Sequence, residues 1–166
     1  MRIVVLADTH VRDGASTDLP AAVWDAVDTA DAVLHAGDVV GGQLLDRLEA
    51  RAPTWAVLGN NDRGLEGRLP ETVELELEGV PVAMVHDSGA RHGRERRMAR
   101  RFPGAAVVVF GHSHDPVDGP GADDQLLFNP GSPTQRRRQP QRSYGVLELG
   151  AGAVTDHRIV LLDDTR

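Results

Sequence analysis

Five short apolar runs in this chain each stop at a polar side chain able to bind a metal ion, and this repeat narrows the fold more than any other feature. The first is Ile3-Val4-Val5-Leu6-Ala7, which ends abruptly in Asp8-Thr9-His10. Runs this short and this rich in β-branched residues predict strands buried on both faces. Ala32 to Ala36 closes in Gly37-Asp38, and Thr54 to Leu58 closes in Gly59-Asn60. Val80 to Val85 ends in His86-Asp87, and Ala105 to Phe110 ends in Gly111-His112-Ser113-His114. Residues that follow a strand sit at its carboxyl end, where open α/β sheets place their ligands. One such ending is chance; five at one sheet edge amount to a site.

The intervals between the runs change period. Pro20 opens a stretch with Trp24, Val27 and Ala30 at helical spacing, and residues 41–51 carry Leu44, Leu45 and Leu48 in the same way. Pro in a first turn followed by that spacing signals a helix. Strand, helix, strand, helix, strand predicts a parallel sheet with right-handed crossovers. Residues 72–78 alternate apolar with Glu, Gly79 turns, and the chain returns over 80–85, which predicts a hairpin with one solvated face. A basic helix is expected over 91–101, and further strands at 126–128, 143–149 and 153–162. The loops 11–19, 62–70 and 115–124 are left to shape whatever binds at the strand ends. A length of 166 residues predicts one domain over 1–166 with room for a sizeable core.

Composition removes several functional classes. The chain has no cysteine, so thiolate nucleophiles, disulfides and Cys-type zinc sites are excluded. No apolar stretch approaches the ~20 residues a bilayer demands, so no membrane association is expected. The first run is cut by Asp8 and is too short for an export signal, and a cytoplasmic location is the expectation. A formal charge of -7 counts against nucleic acid as a partner. All 18 basic residues are Arg, with no Lys, which looks like coding bias and discounts clusters such as Arg136-Arg137-Arg138.

The strand endings together offer four imidazoles, two carboxylates and an amide. These are borderline-hard donors, suited to Mn, Fe, Zn or Ni rather than to Ca or Mg alone. Seven ligands exceed what one such ion takes from protein, and they fit two ions sharing a bridging carboxylate. Each residue alone has a plainer role open to it. Asp38 also fits a helix N-cap, and His112 or His114 singly would be a structural histidine. His35 reads as a packed residue rather than a ligand, and His92 and His157 as surface. Asp13, Asp87 and Asp115 are candidates for orienting ligand imidazoles. Residues 91–101 read as a solvated face, and the Arg136–Arg138 cluster is placed to lean toward substrate as a bidentate phosphate clamp.

In this order, Asp8-Thr9-His10, Gly37-Asp38, Gly59-Asn60, a lone His86 and Gly111-His112-Ser113-His114 resemble the calcineurin-like metallophosphoesterase superfamily. The overall size, His112-Ser113-His114 and Asn129-Pro130-Gly131-Ser132 are similar to its compact bacterial and archaeal phosphodiesterase branch, which also holds a retromer subunit that uses the scaffold for binding. The resemblance implies an α/β four-layer sandwich, two mixed β-sheets flanked by helices. It implies one metal held by Asp8, His10, Asp38 and His114, and a second by Asp38, Asn60, His86 and His112. The cofactors would be two divalent ions, manganese first, with Fe, Zn, Ni or Co as substitutes. Asp38, Asn60, Asn61 and His112 would carry catalysis. The implied activity is hydrolysis of a small phosphodiester by a two-metal-activated hydroxide. Alternatives are a protein-binding scaffold, a phosphomonoesterase or a nuclease. A small phosphorylated substrate is the implied partner, and relatives often assemble into homo-oligomers.

Two positions depart from the pattern. Asn61 stands where most relatives have a His thought to protonate the leaving oxygen. The compact branch commonly lacks that His too, with an Asp next in line, as Asp62 is here. His86-Asp87-Ser88 stands where relatives often read His-Gly-His.

Overall fold

A computed structural model describes residues 1–163; the last three residues of the expected 1–166 domain lie outside them. In chain order the elements are β1 (Arg2–Leu6), α1 (Ala21–Asp28), β2 (Ala32–His35), α2 (Gly42–Glu49), β3 (Thr54–Ala56), β4 (Thr72–Leu77) and β5 (Val80–Val85). They continue as α3 (Arg94–Arg101), β6 (Val107–Val109), β7 (Val117–Pro120), β8 (Leu126–Asn129), β9 (Arg142–Gly150) and β10 (Ala153–Leu162). The first sheet has the order β10-β9-β1-β2-β3, the second β4-β5-β6-β8-β7. β1, β2 and β3 run parallel, as do β5, β6 and β8, while β9, β10, β4 and β7 pair antiparallel.

The period-2 alternation of the strands sorts their side chains into three cores. Ile3, Val5, Ala32, Leu34, Val82, Met84, Val107 and Val109 meet between the sheets. Val4, Leu6 and Val33 face outward under Val23 and Val27 of α1 and Leu44, Leu45 and Leu48 of α2. Ala83, Val85, Val108 and Phe110 face the opposite side, under Met98 of α3 and Phe102. The result is the four-layer sandwich of two mixed sheets with helices outside. β1 is buried on both faces because each neighbouring residue feeds a different core. Each large side chain so buried stabilises the fold by roughly 1.5–3 kcal/mol.

The expected hairpin is β4–β5, closed by Glu78 and Gly79, both at positive φ (51° and 77°), the signature of a tight turn that matches strand twist. Glu74 and Glu76 point to solvent from β4. Two expectations are corrected. The loop expected over 115–124 contains β7, an edge strand paired with β8; Gly119 and Pro120 hide it in the sequence, since Pro is tolerated only at an edge. Asp38 does not cap α2; Gly41 occupies that position, and the Asp13 carboxylate accepts the Gln43 N–H at 2.9 Å. Among the described residues no helix is long and apolar enough to cross a membrane.

Candidate metal centre

The carboxyl ends of β1, β2 and β3 meet those of β5 and β6 at one end of the sandwich. Asp8 and His10 follow β1, Asp38 follows β2, Asn60 follows β3, His86 follows β5, and His112 and His114 follow β6. Three of these connections share a backbone device. Residues 8 and 10, 38 and 40, and 112 and 114 all stand at positive φ, between 48° (His10) and 76° (Val40). Such conformations cost an L-residue about 1–3 kcal/mol each, most where the side chain is β-branched like Val40. The loops are held there by neighbours. Asp8 N donates to Gly37 O and His10 N to Asp38 O, both at 2.9 Å. The Ser132 hydroxyl donates to Asp8 O at 2.7 Å and the Thr134 hydroxyl to Thr9 O at 2.6 Å.

Two glycines of the motifs are explained by space. A Cβ at Gly37 would lie 2.7 Å from His86 Nδ1, and one at Gly59 would strike the Asp38 amide and carboxylate. The side chains these glycines admit close on one another. His10 Nε2 stands 3.4 Å from Asp38 Oδ2 and 3.3 Å from His114 Nε2. His86 Nε2 lies 3.5 Å from Asp38 Oδ1 and 3.0 Å from Asn60 Oδ1, which is also 2.9 Å from His112 Nδ1. His114 Nε2 is 3.6 Å from Asp8 Oδ1. Asp8, Asp38, His86 and His114 form a buried floor, His10 is half-buried, and Asn60, Asn61 and His112 form an exposed rim.

The donor set fits a cation. His114 Nδ1 faces the Gln135 carbonyl at 3.0 Å and His86 Nδ1 faces that of Ala36 at 2.8 Å. A carbonyl only accepts, so each Nδ1 carries a proton and each ring turns its Nε2 inward. Burial holds His114 down to about 4, so it is neutral at physiological pH. With Asp8 ionised, the His114 Nε2 lone pair faces a carboxylate oxygen 3.6 Å away, acceptor against acceptor. Asp8 Oδ2 is buried with no hydrogen-bond partner among the described residues. Desolvation, reinforced by the Asp38 charge, pushes the Asp8 carboxyl up to about 8. A positive charge between these groups would relieve all three mismatches. Two groupings have ligand atoms close enough to share an ion: Asp8, His10 and His114, and Asp8, Asp38 and His86.

Asp38 is treated differently from Asp8. Burial opposes its ionisation, yet Asn61 donates both its backbone N–H to Oδ1 (2.8 Å) and its side-chain N–H to Oδ2 (2.6 Å). Those donors, with His86 and His10 beside it, hold the Asp38 carboxyl below its usual value. Asn61 thereby stays on the exposed rim with its amide engaged by Asp38.

Asp62, next in line, was not singled out as a support from sequence. Only 2% exposed, it accepts Asp38 N (2.9 Å), Gly59 N (2.7 Å) and Val40 N (2.7 Å), tying the β2 and β3 loops together. Its position three residues after Gly59 was the one available signal. None of Asp13, Asp87 and Asp115 orients an imidazole. They accept from Gln43 N, Gly89 N and Gln139 Nε2 respectively, because backbone carbonyls already occupy the imidazole positions. His35 is fully buried and meets the Thr9 hydroxyl at 3.0 Å, and burial pushes it down to about 3. His92 and His157 are exposed, the latter paired with Asp118 at 2.6 Å. The basic helix is more than a solvated face: the Arg94 guanidinium lies 4.9 Å from the Phe110 ring centroid, and Arg97 donates to Ser88 O at 2.8 Å.

Two clefts flank the floor. One of about 570 Å³ is lined by His10, Arg12, Thr17, Asn61, Arg63 and Gln135. The other, about 480 Å³, is lined by Ser113, His114, Asp115 and Arg136 to Gln139. Arg137 is close enough that its charge opposes proton uptake at His10 and His114.

A family model described as the calcineurin-like phosphoesterase superfamily domain matches residues 1–152. A probable metallophosphoesterase of Methanothermobacter thermautotrophicus is 37% identical over 139 residues, covering 82% of this chain and 80% of that protein. Among solved structures, Vps29 of Entamoeba histolytica complexed with Zn²⁺ superposes with a TM-score of 0.75 at 21% identity, over 97% of this chain and 99% of the other. A novel archaeal phosphodiesterase superposes with a TM-score of 0.70 at 22% identity, over 98% of this chain and 100% of that one.

Proposed function

The chain belongs to the calcineurin-like phosphoesterase superfamily, and from that footing we propose that it is a phosphodiesterase that hydrolyses a small phosphodiester with two divalent ions. Asp8, His10, Asp38 and His114 would hold one ion. Asp38, Asn60, His86 and His112 would hold the second, with Asp38 shared. The observation that carries this reading is the inward lone pair of His114, set against the Asp8 carboxylate and the unpartnered Asp8 Oδ2. A mixed nitrogen and oxygen donor set suits manganese, with Fe, Zn, Ni or Co as substitutes. Bound there, the ions would acidify water to give a nucleophile near neutral pH and offset charge on the phosphoryl oxygens.

The protein's own part is placement. Asn61 clamps both oxygens of Asp38 and so fixes the shared carboxylate. Gln135 O and Ala36 O fix the tautomers of His114 and His86. A diester has two substituents, and the clefts beside His10 and His114 offer each one room. Turnover of bis-(p-nitrophenyl) phosphate by chelator-stripped protein, restored by Mn²⁺ and lost in Asp38→Ala, is the expected result. If the wild type is inert toward both this diester and a monoester, the scaffold reading suggested by the likeness to Vps29 replaces it.

A leaving-group preference follows from Asn61. Among the described residues no carboxyl lines the larger cleft, the residue 61 amide is committed to Asp38, and His10 would be taken up by the metal, so an oxygen departing into that cleft would meet no free general acid. General acids typically contribute ~10²–10⁴ in rate. Aryl diesters should therefore be cleaved faster than alkyl diesters by at least about a hundredfold beyond their ratio in solution. Equal enzymatic enhancement of both would sink the idea.

A further inference from the structure

The larger cleft carries two cations without counter-charges. Four arginines elsewhere on this surface are neutralised: Arg47 by Asp18, Arg51 by Asp28, Arg68 by Asp46 and Glu49, and Arg158 by Glu148 and Asp156. Arg12 and Arg63 have no ion-pair partner among the described residues, and, unlike the unpaired arginines of α3, both line the cleft that opens beside His10. Their sequence neighbours are acidic but spoken for. Asp13 accepts Gln43 N, and Asp18 is held by both terminal nitrogens of Arg47 at 3.0 and 2.8 Å. Asp62 is turned inward onto three backbone amides, and Glu66 accepts Gly64 N at 2.7 Å. In a protein of charge -7, two guanidiniums left uncompensated at the mouth of one cleft mark a local anion site. Thr17 and Gln135 add a hydroxyl and an amide to the same lining.

Resting on the phosphodiesterase reading for the position of the scissile group, we propose that Arg12 and Arg63 form a second anion subsite. It takes a phosphate or carboxylate carried by the ester substituent that lies beyond His10. The substrate is thus a phosphoester with a second anionic group, bound by guanidinium forks that match such oxygens bidentately. The centre reads the scissile phosphoryl, and the arginines read what is attached to it.

The test uses fructose 1,6-bisphosphate against fructose 6-phosphate, and 3-phosphoglycerate against glycerol 3-phosphate. Each is titrated calorimetrically into Mn²⁺-loaded protein and, separately, used to inhibit bis-(p-nitrophenyl) phosphate hydrolysis. In the wild type the second anion should tighten binding by about tenfold or more, the size of one net charge-assisted hydrogen bond. In Arg12→Gln/Arg63→Gln that ratio should fall to about one, with an unchanged melting temperature showing that the fold is intact. Arg12→Lys/Arg63→Lys should keep part of it. A gain confined to the bisphosphate identifies phosphate as the group read; an equal gain with 3-phosphoglycerate identifies carboxylate as well. A ratio near one in the wild type, or a ratio retained in the glutamine variant, overturns the subsite. If no diester is hydrolysed, the phosphodiesterase reading fails on that arm, while the calorimetric ratio still decides the subsite.

Discussion

The first sheet gives the centre Asp8, Asp38 and Asn60 together with His10, whereas the second gives three imidazoles, His86, His112 and His114. The two contributions are secured by opposite means. Carboxylates are gripped by N–H donors, Asp38 by Asn61 and Asp8 by His112 N at 3.1 Å. Imidazoles are gripped by backbone carbonyls at Ala36 and Gln135. Two of these grips cross between the sheets, since His86 leans on Ala36 and Asp8 on His112. The backbone stress is uneven as well. The first sheet's loops hold four positive-φ residues, Asp8, His10, Asp38 and Val40, and the second's hold two, His112 and His114, while His86 continues its strand unstrained. The difference teaches that both halves contort the chain, the acidic half more, and that they differ in the grip: N–H donors hold the carboxylates, and fixed carbonyls hold the rings of His86 and His114.

The largest effect should come from crowding the more contorted half. Gly59→Ala places a methyl against the Asp38 amide and carboxylate, and overpacking of this kind typically costs 1–3 kcal/mol. Urea unfolding of the stripped protein should show that loss, and metal content after reloading should fall. An unchanged midpoint with full metal content would mean that the β3 loop is free to move, and the comparison between the halves would collapse.

A pH effect of intermediate size sharpens the contrast between Asp8 and Asp38. The Asp8 carboxyl is raised from 3.8 to about 8 in the folded protein. Its proton-bound form is thus favoured by folding, and that contribution is present below its ordinary value and lost as pH rises through about 8. Stripped protein should lose stability over that window, whereas metal, which needs the ionised carboxyl, should bind more tightly across it. Calorimetry in buffers of different ionisation enthalpy near pH 7 should find about one proton released per Asp8-bound ion. No proton release would show that Asp8 is already ionised and that its environment is not the desolvated one described.

Smallest of all should be Asp87→Ala and Asp115→Ala. These carboxylates accept from Gly89 N and Gln139 rather than from an imidazole, so each change should stay within about 0.5 kcal/mol. Turnover should stay within about twofold of the wild type. A large drop from either would mean that side-chain carboxylates, not carbonyls, set the rings.

Much of this architecture is legible in the residues themselves. Apolar runs ending in Asp, Asn or His marked five strand ends, and the structure brings all seven donor side chains to one end of the sandwich. The boundaries of α1 and α2 came within a few residues, since Leu44, Leu45 and Leu48 must share a face. What stayed hidden has a common cause. The anchors of His86 and His114 are backbone carbonyls at Ala36 and Gln135, and a carbonyl leaves no trace in residue identity. β7 escaped because Asp118, Gly119 and Pro120 mask an edge strand. The service of Asp62 depends on three amides converging in space, and the clamp of the Asn61 amide on Asp38 is a contact that its place in the motif does not reveal.

The placement of β1 has a further consequence, for the order of assembly. Ile3 pairs with Ala32 on one side and with Leu147 on the other. During synthesis β1, β2 and β3 are available to one another early, but β9 emerges long after. Long closures of this kind are slow, because chain entropy is lost before contacts repay it. The braces on the Asp8 loop, Ser132 and Thr134, and the Gln135 anchor of His114 also come from that late segment. A nascent chain therefore displays Asp8, His10 and Asp38 well before it holds them in their contorted geometry, and the set that would hold an ion is complete only once β9 has locked beside β1.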